Sequence, residues 1–183
     1  MTNLENLDSQ IKTMLADNEE VIWFGNPQKK CHVLGAILKM LPIAIIWALV
    51  DGFMIGAMVR MGTFNEVSYL KFILIPFFLV HLTPVWLWIA GIIKAYAGYK
   101  KITYCITNQR IIIKQGIISS DLRSILLSEV DSLNLRAGIL DKICKTGDVY
   151  VVGKTLSITF NDVINPEEVY KKLNDTLSVA KNG

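Results

Sequence analysis

VLGAILKMLPIAIIWALVDGFMIGAMV (Val33–Val59) and YLKFILIPFFLVHLTPVWLWIAGII (Tyr69–Ile93) are the two stretches on which the class of this chain turns. They hold 27 and 25 residues. Each exceeds the roughly 20 that a helix needs to cross a hydrocarbon core, and at about 1.5 Å per residue they reach about 37–40 Å. The short polar break Arg60–Ser68 between them reads as an external loop. Two helices apolar on every face could be sheathed by soluble structure only in a much larger chain than 183 residues, so the expectation is a two-pass membrane hairpin. The composition, 52% hydrophobic with mean hydropathy +0.40 but still 19% charged, leaves room for water-facing parts at both ends.

Basic residues set the orientation. Lys29 and Lys30 precede the first span and Lys94, Lys100 and Lys101 follow the second, against Arg60 and Lys71 at the other end. Both termini are therefore expected on the cytoplasmic side of the membrane. The acidic 32-residue leader does not read as a cleaved signal peptide, which opens on a short basic region. Cys31, Cys105 and Cys144 are widely spaced, show no metal or redox spacing, and suit a reducing compartment as free thiols.

Within the first span Ala44, Ala48, Gly52 and Gly56 recur every fourth residue, and Gly91 and Ala95 repeat the spacing in the second. Small residues so spaced let helices approach closely, and packing within the hairpin is preferred over a contact between copies. Asp51 and His81 fall at roughly 12 Å and 17 Å from the external ends, near enough for a hydrogen-bonded intramembrane pair. A polar clasp that sets the hairpin's register is preferred over an ion path, because no third ionisable group continues the line. Lys39 can snorkel to the interface, and Pro76 and Pro84 should bend or loosen the second span.

Leu4, Leu7, Ile11, Met14 and Leu15 lie on one helical stripe in the leader, followed by the strand-like Val21–Phe24 and a turn at Gly25–Pro27. The stripe lacks the basic face that anionic lipid would attract, so it is expected to dock on the C-terminal region. There, strands are predicted at 102–107, 110–114, 117–122, 125–130, 132–136, 149–152 and 156–160, with turns at Asn108-Gln109, Gln115-Gly116, Gly147-Asp148 and Gly153-Lys154. Asn165-Pro166-Glu167-Glu168 opens a closing helix whose buried face is Val169, Leu173 and Leu177. The sum is an antiparallel β-barrel or sandwich of about seven strands with a C-terminal helix.

Tyr104-Cys105-Ile106-Thr107-Asn108-Gln109-Arg110-Ile111-Ile112, then Gly116, Ser124-Ile125-Leu126-Leu127 through Leu135, Gly138-Ile139-Leu140, Gly147-Asp148-Val149 and the closing Asn165–Tyr170 resemble the bacterial pleckstrin-homology-like (PH-like) domain of small membrane proteins. The resemblance covers about 102–177, and two spans preceded by a strand match that family's layout. Leu126 departs from a common Pro, and Lys145 from a frequent Gly. The resemblance implies a membrane α-hairpin carrying a cytoplasmic PH-like domain: leader 1–32, first transmembrane helix 33–59, external loop 60–68, second helix with its extension 69–97, PH-like domain 98–183.

Thr107–Arg110 reads first as a structural hairpin corner. The sharper idea is that Arg110, Lys114 and Arg123, with Lys100 and Lys101, make a basic surface for headgroups or a partner. One Arg on the first hairpin falls short of the dense cluster that phosphoinositide-binding animal domains use. Residues 99–183 carry twelve Lys or Arg against nine Asp or Glu, which gives no support to nucleic-acid binding. With His32 and His81 the only histidines, no Ser-His or Cys-His pair can be built in the C-terminal domain. Gly153-Lys154-Thr155 fails as a phosphate loop on spacing and context. No catalytic residue, metal, cofactor or small-molecule substrate is read. The functional expectation is a non-enzymatic scaffold that binds a protein partner or copies of itself as an oligomer, with lipid-headgroup sensing as the alternative and an oligomeric channel or transporter behind it.

Overall fold

The computed structural model describes residues 7–62, 69–116 and 119–182. The start of the leader stripe at Leu4, residues 63–68 of the expected external loop, and residues 117–118 of one predicted strand lie outside them. The chain divides into two compact units, one comprising Met1–His32 with Tyr96–Gly183 and the other Val33–Ala95. The leader, read from the sequence as a segment of its own, thus groups with the C-terminal domain, because one of its strands is hydrogen-bonded into that domain's sheet.

In the first unit α1 (Ser9–Met14) and β1 (Val21–Gly25) come from the leader. A 3-10 turn (Tyr99–Lys101) then leads into β2 (Thr103–Thr107), β3 (Arg110–Gln115) and β4 (Asp121–Leu126). The order β1-β2-β3-β4 makes one antiparallel sheet, and β5 (Val130–Arg136), β6 (Thr146–Gly153) and β7 (Ser157–Ile164) make a second. Tyr104, Ile106, Ile111, Ile113 and Ile125 from the first sheet meet Val149, Val151, Ile158, Phe160 and Val163 from the second. The last long helix of the chain, Pro166–Asn182, closes this core with Val169, Leu173 and Leu177, all buried. Its first-turn amides at Glu168 and Val169 bond the Asn165 carbonyl, and Asn165 takes the left-handed backbone (φ 51) that asparagine tolerates.

Three details differ from the sequence expectation. Residues 119–130 do not form two strands: β4 is as long as its partner β3 can pair, Gln115 with Asp121 through Arg110 with Leu126, and the chain then turns through Leu127–Glu129. Gly147-Asp148 is no turn but a bulge inside β6, where a Cβ on Gly147 would come within 2.9 Å of Pro166. The reversal occurs earlier, after a short helix, α5 (Ile139–Cys144), that the sequence reading missed; Lys145 ends it at φ 56, ψ 44, a left-handed position that explains why glycine would be at home there.

The second unit holds most of α2 (Lys29–Arg60), then α3 (Leu70–His81) and α4 (Thr83–Gly98); the closing helix is α6. The second apolar stretch is two helices rather than one, bent by 51° at Leu82. Pro84 has no N–H to give the Val80 carbonyl and its ring crowds that group, so the helix breaks. Side chains take over the freed acceptors: the Thr83 hydroxyl donates to the Val80 carbonyl, the Trp86 indole to Leu79 at 3.0 Å, and the Trp47 indole to His81 at 2.7 Å. Alone, α2 is long and apolar enough to cross a membrane, whereas α3 and α4 qualify only when counted together.

Candidate functional site

The corner Thr107-Asn108-Gln109-Arg110 is a clamp on the leader. Thr107, fully buried, donates from its hydroxyl to Glu19 Oε1 (2.8 Å) and accepts the amides of Gln109 (3.2 Å) and Arg110 (3.0 Å). Asn108 bonds Glu20 in both directions, its amide to the Glu20 carbonyl (3.0 Å) and its Oδ1 from the Glu20 amide (2.9 Å). Arg110 lies across Glu19 as a two-pronged ion pair, Nε to Oε1 at 2.8 Å and Nη2 to Oε2 at 2.7 Å, with the Glu19 side chain fully buried.

Strand alternation explains why the leader needs that clamp. Ile111 and Ile113 point into the main core, so Arg110, Ile112 and Lys114 share the outer face of the sheet. Leu7 and Ile11 cover Ile112 and Cys105 there, and the Lys114 ammonium holds Asp8 at 2.6 Å. Arg123 occupies the opposite face and pairs with Asp121 at 2.7 Å. Of the five basic residues considered for headgroup or partner contact, Arg110, Lys114 and Arg123 are therefore committed to carboxylates. Lys100 stands 6.0 Å from the Tyr99 ring, beside Lys29, which lies over the Tyr96 ring at 4.2 Å, and Lys101 is in the same turn. The unbroken apolar run Ile111-Ile112-Ile113 was the available signal: a strand with one wet face would alternate.

Burial alone would raise the Glu19 carboxyl, but hydrogen bonds from Arg110, Thr107 and the Ala16 amide outweigh it and hold it below the usual range. At Asp8 burial is likewise overcome, chiefly by Lys114. Both folded-state values are depressed, so the unfolded chain binds protons first. The stability these pairs give is whole above the ordinary values of 4.5 and 3.8 and disappears as pH falls through the lower folded ones. A urea midpoint flat from about pH 7 to 5 and dropping below about 4.5 is expected; a midpoint unchanged at about pH 3 would show that neither pair matters.

In the helical unit His81 Nδ1 lies 2.7 Å from Asp51 Oδ1, with Asp51 only 2% exposed and its Oδ2 without a hydrogen-bond partner among the described residues. The His81 ring also stacks on Phe77 and tilts against Trp47. The small-residue stripe does not act as one face. A period of four overshoots the 3.6-residue turn by about 40° per step, so Ala44 is buried while Ala48, Gly52 and Gly56 turn outward, and a Cβ on Gly52, Gly56 or Gly91 would meet nothing. Ala95, at the end of the same pattern in α4, is half-buried. The expected hairpin packing through the glycines of α2 is thus not what the described residues make: Trp47, Asp51 and the Trp88 indole, which donates to the Ile37 carbonyl at 2.9 Å, join the helices instead.

The β unit also carries a concave surface. Along β5, whose far edge pairs with no strand among the described residues, a groove of about 290 Å³ runs between Val130–Leu133 and Tyr170, Asn174, Leu177 and Ser178 of α6.

A family model described as Bacterial PH domain matches residues 31–177 of the chain. No curated protein matches it.

Proposed function

The chain belongs to the bacterial PH domain family, and from that premise we propose that it is a membrane-anchored, non-enzymatic binding module whose β5 edge and β5–α6 groove hold an extended segment of a protein partner or of another copy. The free edge beside the groove carries this reading. An unpaired strand offers a row of N–H and C=O groups to a peptide, and the adjoining groove offers side-chain pockets, which is how strand addition combines affinity with selectivity.

Anchoring is supported by what the helices expose. Only 6% of the most apolar window of α2 is buried, and Phe53 and Phe72 are 79% and 81% exposed. A core helix of a soluble protein would be covered, so this surface calls for lipid. Tyr96 and Tyr99 with Lys29 and Lys100 form the kind of aromatic and basic belt that sits at headgroup level. Because three of the five candidate cations are already paired, headgroup sensing by the β unit ranks below protein binding.

A photo-crosslinker at Asn174 in the full-length protein, in its membrane, should capture a polypeptide. Capture should fall about tenfold, equivalent to ~1.4 kcal/mol, when Ser178→Trp fills the groove, and should be absent from a crosslinker at the neighbouring Asp175. Lipid adducts alone, or equal yields at both positions, would remove the groove from consideration.

A further inference from the structure

Three segments, 31–32, 141–148 and the end of β7 at Asp162, bring two thiols, an imidazole and three carboxylates together beside the first turn of α2. The ligand atoms of Cys31, Asp141 and Asp162 all lie within 4.8 Å of one another. Cys31 is fully buried, its Sγ is 3.6 Å from Asp141 Oδ1, and the Thr146 hydroxyl bridges both, 3.1 Å from the sulfur and 3.3 Å from the carboxylate. Cys144, one helical turn after Asp141 on α5, is close enough to interact with the Cys31 thiol. We infer that Cys31, Asp141 and Asp162 form a binding site for a zinc-like transition-metal dication.

The spacing suits it. Bonds of about 2.0–2.3 Å at tetrahedral angles put donor atoms roughly 3.3–3.8 Å apart, so the three donors need only small rotations to close on one ion. Thiolate with carboxylate oxygen is a mixed set that zinc accepts and that calcium or magnesium, which want oxygen alone, does not. Charge balance points the same way independently. Asp148 joins the cluster by accepting the Asp162 amide at 3.0 Å, and His32 contacts one of the three carboxylates. Half-buried carboxylates grouped this closely are stabilised by a counter-charge or a metal. His32, whose Nδ1 lies 2.9 Å from Asp162 Oδ2, would orient that ligand as an outer partner. Its side chain and that of Asp162 are 24% and 16% exposed, which leaves a way in for an ion.

The test uses the full-length protein in detergent, treated with a chelator and kept in a non-chelating reductant, and titrates it with Co²⁺. A thiolate-to-cobalt charge-transfer band should grow to one ion per chain and vanish on adding Zn²⁺. It should be lost in Cys31→Ser, weakened in Asp162→Asn, and kept in Cys105→Ser, whose thiol sits under α1 instead. Since Cys31→Ser alters a buried position, the wild-type titration decides by itself: no band there, or binding that never saturates, overturns the site. So does a band that survives in Cys31→Ser.

Discussion

Arg110→Ala is expected to cost about 3 kcal/mol of stability, read as a fall in urea midpoint at unchanged slope. The guanidinium is the counter-charge of a Glu19 carboxylate that has no exposed surface. Removing it leaves a buried anion with only the Thr107 hydroxyl and the Ala16 amide, at 3.1 Å, to compensate. The figure lies at the lower end for a broken buried pair, because the Arg110 side chain keeps 23% of its surface and water can reach the gap. Removing the charge from both sides, Arg110→Met with Glu19→Gln, should restore at least half of the loss, since no unpaired ion then remains buried. A loss under about 0.5 kcal/mol for Arg110→Ala, the range of ordinary surface changes, would mean that the corner does not hold the leader.

Starting the chain at Lys29 should abolish cooperative folding of the β unit. Residues ahead of Lys29 supply an entire edge strand, the Trp23 ring stacked 6.0 Å from Phe160, and the cover over Ile112 and Cys105. Leu7 and Ile11 are buried and Leu15, Val21, Trp23 and Phe24 partly so; at about 1.5–3 kcal/mol for each full burial their gross contribution is about 10 kcal/mol. That matches the whole net stability of an ordinary domain, about 5–15 kcal/mol. Hydrogen exchange at the amides of β2 and β3 is the measurement, and protection should collapse. If the shortened chain melted cooperatively within a few degrees of the full protein, the leader would be an accessory and not a structural part. A fragment comprising only Lys100–Gly183 lacks the same strand, so lipid binding has to be assayed on the whole protein.

Much of this architecture could be read from local pattern. The closing helix announced itself through Pro166, two first-turn carboxylates and an apolar stripe, and Val169, Leu173 and Leu177 are buried. The β2–β3 corner was legible because asparagine and a threonine hydroxyl favour such a reversal. What failed was the reading of lengths and faces. β4 ends where β3 runs out of partners, Gly147 sits in a bulge where a Cβ would run into Pro166, and the glycines of α2 turn outward because a four-residue repeat drifts around the helix.

By composition and periodicity alone, then, this chain was bound to contain two long apolar stretches and a small antiparallel domain closed by a helix, since hydrophobic pattern acts over a few turns or a few pleats. Which charges stay free was decided only in three dimensions. Arg110 and Lys114 look like a basic surface in the linear order, yet Glu19 and Asp8, more than ninety residues away, neutralise them. Cys31 looks solitary until folding sets it beside Asp141 and Asp162. Electrostatic and ligand geometry depends on distances of a few ångströms between segments that only the tertiary fold brings together, and no local pattern carries that information.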